Sequence, residues 1–186
     1  MQKSIIFFAL TLSSLLSAQS TWKADTADSN VDFSISHLIF SQVNGSFTKF
    51  DIKATADDDF DSPTFTANIA TASINTNNSK RDKDLRDEDY FDAATYPTMA
   101  FKSTSYKRTG EKTFRLGGNL TIKGTTKHVE LEGKLGRITT DPQSRNPRMG
   151  LKFTGTINRK DFNVGSSIIP MGDEAAITIN LEMVQQ

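Results

Sequence analysis

The two histidines, His37 and His128, are the first side chains to test for chemistry, and their placement argues against a metal centre. They fall in separate apolar-patterned segments with no short spacing between them, whereas a shared metal draws its ligands from close pairs. His37 continues the alternation Val31, Phe33, Ile35. It reads either as a neutral donor or acceptor aimed into the interior or as a satisfied core or rim histidine. His128 falls on a polar parity beside Glu130 and reads as a surface residue. Serine is abundant, but no Gly-x-Ser-x-Gly elbow occurs, and no glycine-rich phosphate loop joins a strand to a helix. The run Asp57-Asp58-Asp59 lacks the alternating spacing of a calcium loop and reads as a solvated turn. Lys80, Arg81, Lys83 and Arg86 form the densest basic cluster, which could attract a phosphate or a carboxylate. Asp82, Asp84, Asp87, Glu88 and Asp89 nearly cancel it, so local ion pairing is the plainer reading, with Arg81 and Asp82 alternatively tying the segment to a strand end. The chain has no cysteine, which removes disulfides, thiolate metal ligands and thiol nucleophiles. No catalytic residue, metal site or cofactor is assigned, and an enzyme is not expected.

Composition narrows the partners. In 186 residues, 22 positive side chains balance 22 negative ones. Nucleic acids and anionic membranes need a concentrated positive surface, so neither is an expected partner. Residues 1–18 read as a signal peptide: Lys3 opens it, an apolar run follows from Ile5 to Leu16, and small Ser17 and Ala18 precede the expected cleavage. That run is too short to span a bilayer as a helix. No later stretch is apolar enough to do so, and the protein is not expected to span a membrane. Residues 19–186 form one expected domain, large enough for a real core.

The elements that must position any site are strands. Val31, Phe33 and Ile35 alternate with polar neighbours, and so do Phe65, Ala67 and Ile69. Phe47 and Phe50 lie on opposite parities, which predicts a bulge or bend at Thr48 and Lys49. From Asn75 to Tyr96 the rhythm stops. This length is unusual for a bare connection, so one or two helical turns are expected, capped by Asn78 or Ser79 and pinned by Leu85 and Phe91. Strand rhythm then resumes at Met99 and Phe101. It continues through Phe114, Leu116, Gly118, Leu120 and Ile122, then Val129, Leu131, Gly133 and Leu135, then Met149 to Ile157, with an irregular stretch at 163–172 before Ala175 to Met183. About eight strands with one apolar face each predict an all-β fold, either a sandwich or a closed barrel. Thirteen phenylalanines against three tyrosines and one tryptophan, many of them on inward parities, favour a wide interior. Gly118, Gly133 and Gly155 share those parities and would make room for strand curvature or for a ligand.

These blocks resemble the YceI-like family of periplasmic polyisoprenoid-binding proteins. The resemblance runs from Trp22 to about Met183. It rests on Trp22, Asp25, Ser29, Val31, Phe33 and His37; on Gly45, Phe47 and Phe50; and on Ser73-Ile74-Asn75-Thr76, Arg81-Asp82, Leu85, Tyr90-Phe91-Asp92 and Tyr96-Pro97. Phe101-Lys102-Ser103, Gly118 to Gly124, Thr126-Lys127, Val129, Arg159 to Phe162 and Gly172-Asp173-Glu174 complete it. The chain departs from the family pattern at Asp28 and Asp84, where family histidines are usual, and at Asn163, where glycine is usual; a left-handed turn suits asparagine as well. Any role of those family histidines is therefore not carried over, and His37 is the retained one.

The resemblance implies an extended lipocalin-like barrel of eight antiparallel strands with a short helical segment in the 75–96 connection. It implies a periplasmic carrier, secretion being the second choice, holding a long isoprenoid such as a quinone or polyprenyl phosphate, or another apolar ligand. The expected wall residues are Phe33, Ile35, Phe47, Phe65, Ile69 and Phe101 from the first half, and Phe114, Leu116, Leu131, Phe153, Ile157 and Ile177 from the second, with His37 as polar contact. A filled barrel acting through its surface in stress response or envelope assembly is the alternative, and an enzyme on an isoprenoid substrate is a weaker one. The remaining polar faces are compatible with a homodimer.

Overall fold

Period-two alternation becomes strand almost everywhere it occurs. The computed structural model describes residues 19–38, 41–57, 60–165 and 171–186. The expected signal segment and two of the three aspartates of the 57–59 run lie outside them. Among the described residues the strands are β1 (Ser20–Ala24), β2 (Asn30–His37), β3 (Ser41–Phe47), β4 (Phe50–Ala56), β5 (Thr64–Ala70), β6 (Ile74–Asn75), β7 (Thr98–Arg108), β8 (Thr113–Ile122), β9 (Thr125–Thr140), β10 (Pro147–Asn158) and β11 (Met171–Gln185). One α-helix, α1 (Ser79–Arg86), and two short 3-10 turns, Thr71–Ser73 and Arg159–Phe162, complete the set.

All pairings are antiparallel. The order β1-β4-β5-β7-β8-β9-β10-β11 returns from β11 to β1, so the sheet closes. Two pairs of short strands each act as one bent strand. β1 pairs with the last residues of β11, Ala24 opposite Met183, while β2 takes over higher up, from Asn30 opposite Asn180 to His37 opposite Met171. β3 and β4 meet at Thr48 and Lys49, whose N–H groups leave the ladder and donate to Ser73 O and Ser73 Oγ at 3.2 and 3.1 Å. That excursion inserts the parity change expected between Phe47 and Phe50. The result is an eight-stranded antiparallel barrel with a small β2–β3–β6 extension at one end. Closure leaves the main sheet without open edges.

The connections obey local chemistry. Lys123 and Gly124, both at positive φ, form the two-residue turn between β8 and β9, with Ile122 opposite Thr125. Asn78 caps α1, its side chain accepting from Arg81 N at 3.0 Å. Asn163 ends the second 3-10 turn at φ 58° and ψ 35°, the left-handed conformation expected of it. The irregular stretch expected through Gly172 is shorter, because β11 begins at Met171. Met171 already pairs with His37 before the continuous ladder resumes at Ala175.

The lower barrel is filled. Trp22, Phe60, Phe65, Phe153, Phe114 and Tyr106 form an unbroken run of ring contacts with centroid separations of 5.5, 6.2, 5.3, 5.6 and 4.9 Å. Most meet edge-on, the arrangement aromatic quadrupoles favour. Phe114 and Met183 are 0% exposed. The inward glycines make room for side chains of neighbouring strands, at the floor and in the wall above it. A Cβ on Gly133 would collide with the ring of Phe114, one on Gly118 with Phe101, and one on Gly155 with Leu131. The space they leave is already occupied by the neighbouring strand's side chain.

Candidate functional site

Above that floor the barrel is hollow. A cavity of about 190 Å³ opens toward the end that carries α1, the turn after β10 and the β8–β9 turn. This far exceeds the ~10–15 Å³ that one water needs. Eleven of the expected wall residues line it: Phe33, Ile35 and Phe47 on β2 and β3, Phe65, Ile69 and Phe101 on β5 and β7, and Leu116, Leu131, Phe153, Ile157 and Ile177 around the other side. Phe65 and Phe153 form its floor. Phe114 is not in the wall, because it packs beneath that floor between Tyr106 and Phe153. His37 is not in it either. Its carbonyl accepts from Ser41 Oγ at 2.5 Å, and its Nδ1 lies 3.5 Å from the same hydroxyl at the top of the β2–β3 pair.

Inward side chains differ in exposure. Leu116 is 1% exposed, whereas Phe33, Phe101, Ile122, Ile177 and Ile179 are only half-buried despite their inward parity. Apolar groups that face inward yet remain accessible mark unfilled space. Along the continuous ladder of β11 the wall runs from Ala175 to Leu181, with Met171 beyond it; the ladder part alone is roughly 20 Å of strand, or about 15 Å of depth at ordinary barrel tilt.

The open end is built from the segment that broke the strand rhythm. Arg81 and Leu85 stand one helical turn apart on α1, on one face, and both reach the cavity. Tyr90 and Phe91 follow, with Phe91 edge-on to Phe47 at 5.8 Å, and Phe47 in turn 5.7 Å from Phe33. Phe162, Val164 and Leu120 form a second small core against Tyr90 and Phe91. Lys123 straps the loops together, its Nζ donating to Glu88 O at 2.6 Å and Asn163 O at 3.2 Å.

Polar groups here are few and mostly committed. Arg159 is 8% exposed, donates to Gly172 O at 2.9 Å and Val164 O at 2.8 Å, and pairs with Asp173 at 3.4 Å. Asp82 is buried and accepts from Thr76 N at 2.8 Å and Thr76 Oγ1 at 2.6 Å. Arg81 Nε donates to the same Oγ1 at 2.8 Å and Arg81 Nη2 to Thr76 O at 2.9 Å. Arg86 reaches Ala72 O and Ile74 O at 2.9 Å each. Among the described residues no ion pair joins the 80–89 charges to one another. The local ion pairing expected there is replaced by arginine-to-backbone bonds that tie α1 to the end of β6. Sequence periodicity missed Arg81, Arg159, Tyr90, Phe162 and Val164 as wall residues, since all five lie outside the strands. Among the described residues no group of three or more His, Asp or Glu side chains is placed to hold a metal ion. No helix among them is long and apolar enough to cross a membrane.

Several known proteins share this architecture. The structure of BcnA from Burkholderia cenocepacia superposes with a TM-score of 0.77 at 24% identity, covering 86% of this chain and 98% of that one. The YceI protein of Campylobacter jejuni superposes with a TM-score of 0.71 at 26% identity, covering 100% and 99%. A polyisoprenoid binding domain from Saccharophagus degradans, implicated in plant cell wall breakdown, has the same fold at a TM-score of 0.69 and 15% identity, covering 89% and 98%. In sequence, a UPF0312 protein of Pectobacterium carotovorum and Protein YceI of Salmonella arizonae are each 42% identical over 69 residues, 37% of this chain. That match spans only about a third of those curated relatives, 35% and 36%. The YceI-like domain itself matches residues 22–183, all eight barrel strands included, and the chain belongs to the YceI-like family.

Proposed function

We propose that the protein is an extracytoplasmic carrier that holds a long isoprenoid, or a similar lipid, with its tail in the barrel and its head at the α1 end. The observation that carries this reading is the cavity: an apolar wall with packed aromatic rings beneath it and the α1 segment at its other end. Water gains little from such a wall, and each methylene moved into it from solvent contributes roughly 0.8 kcal/mol. A tail of many carbons therefore binds without any reactive group. The Saccharophagus degradans domain of the same fold is a polyisoprenoid binding domain, which supports an isoprenoid over an arbitrary lipid. The apolar start at residues 5–16 supports export, with the mature chain free in the periplasm.

The test is mass spectrometry of the protein purified without detergent from its native compartment, with the bound fraction extracted into organic solvent. A stoichiometric prenyl lipid is expected. An empty protein that also refuses added quinones and polyprenyl phosphates would shift the role to its outer surface.

A further inference from the structure

Three charged residues reach the cavity wall: Asp32, Arg81 and Arg159. Two are answered by the protein. Asp32 accepts from the Asn30 side chain and also borders the outer groove beside β3. Arg159 has three backbone carbonyls and Asp173 around its guanidinium.

Arg81 differs. It is half-buried and shares the inner face of α1 with Leu85. Its two bonds to Thr76 fix the plane of the guanidinium through Nε and Nη2. A guanidinium carries five N–H donors in a rigid fork. Nη1 has no acceptor among the described residues, and no carboxylate among them forms an ion pair with the group. Neighbouring Asp82 already accepts twice from Thr76 through Oδ1. The Asp82 carboxylate therefore meets the guanidinium only through the Thr76 hydroxyl, and Nη1 stands beside an apolar wall with no protein acceptor among the described residues. A ligand oxyanion at this point makes a charge-assisted bond, about twice as strong as the bond a neutral carbonyl head would accept.

We propose that Arg81 receives an oxyanion, a phosphate ester or carboxylate, at the head of the ligand whose tail fills the cavity. The proposal rests on the carrier reading above and narrows it to acidic amphiphiles. Thr76 is the positioning residue, since it aims the guanidinium without touching the ligand.

The test compares farnesyl phosphate, farnesol and inorganic phosphate by calorimetry on the purified protein, in wild type, Arg81→Gln and Arg81→Lys, with circular dichroism to check folding. Wild type should bind farnesyl phosphate roughly ten- to a hundredfold tighter than farnesol, the range of a charge-assisted hydrogen bond. Arg81→Gln should lower affinity for farnesyl phosphate far more than for farnesol, erasing that ratio, and Arg81→Lys should restore part of it. Equal affinity for the two lipids in wild type, or a preference that survives Arg81→Gln, would overturn the assignment while leaving the carrier reading intact. Loss of farnesol and farnesyl phosphate together in Arg81→Gln overturns it too, because the residue would then be shaping the cavity only. Inorganic phosphate binding as tightly as the lipid phosphate would reassign Arg81 to a free anion. A wild-type protein that binds neither lipid overturns the carrier reading and this one with it.

Discussion

A methyl group added at Gly133 would be driven into the ring of Phe114, which is fully buried between Tyr106 and Phe153 and has no free direction to move. Gly133→Ala should therefore lower stability by about 1–3 kcal/mol, the ordinary range for overpacking. Combining it with Phe114→Leu should recover part of the loss, and urea denaturation of the single and double variants measures both. Thr76 is the second sensitive residue. Its hydroxyl donates to Asp82 and accepts from Arg81, so Thr76→Val strips one bond from a buried carboxylate and one from a guanidinium. A loss of about 1–3 kcal/mol is expected for leaving such a group under-satisfied. The same variant should weaken the preference for phosphorylated over neutral lipid, because Arg81 then keeps only its bond to the backbone carbonyl of residue 76. At this scale the sequence was informative about type and parity. It could name Phe114 as inward but could not place it below the cavity floor, because parity reports direction and not depth. Nor could it show that an inward glycine is a seat for a ring from the next strand.

The elements differ in how firmly they are held. The barrel strands share long ladders, whereas α1 is a single short helix joined to β6 by Thr76, Asp82, Arg81 and Arg86. Its amides should exchange with solvent well before those of β8 to β11, in keeping with local opening of weakly anchored segments. Asn78→Ala removes the cap and should cost about 1 kcal/mol, read as faster exchange at Arg81 N, the amide that Asn78 now holds. Asn163 closes the turn after β10 in the left-handed region. Asn163→Gly should be tolerated, and Asn163→Val should destabilise, because a β-branched side chain is crowded at positive φ; thermal melts of the two variants rank them.

At the scale of the whole molecule the two ends of the barrel do different work. The closed end carries an ion network outside the aromatic floor, with Arg148 meeting Asp141 at 3.0 Å, Asp25 at 3.4 Å and Glu182 at 2.5 Å. The backbone N–H groups of Ser144 and Gln143, helped by Arg148, hold the Asp141 carboxyl below its ordinary value of 3.8. Its folded form thus binds a proton less readily than the unfolded one. Its contribution is complete above the ordinary carboxylate range and is lost as pH falls through the lowered folded value. Asp141→Asn should reduce stability at neutral pH and flatten the acid limb of the stability curve, measured by chemical denaturation from pH 7 down to acid. The open end is where volume matters. Ala67 and Ala175 face the cavity, so Ala67→Phe or Ala175→Phe should block lipid binding while leaving the empty protein folded, a combination that a collapsed barrel could not produce.

The sequence by itself determined the class of structure. Alternation is local and each strand shows one apolar face, so an all-β fold with about eight strands and eleven of the inward wall residues were legible without a fold in view, while the choice of barrel over sandwich came from the family resemblance and not from periodicity. It also located two of the breaks: the parity change at Thr48-Lys49 shows in the spacing of Phe47 and Phe50, although Ser73 from a distant segment holds it, and Asn78 caps α1 through its own near neighbour Arg81. Only the tertiary structure decided where the barrel is full and where it is hollow, because filling depends on which rings from distant strands meet at one height. For the same reason only the fold revealed that Arg81, Tyr90 and Phe162, drawn from two irregular segments, join the wall. No periodicity encodes a contact between a helix and a turn separated by some eighty residues, and closure of the sheet alone brings them to the same mouth.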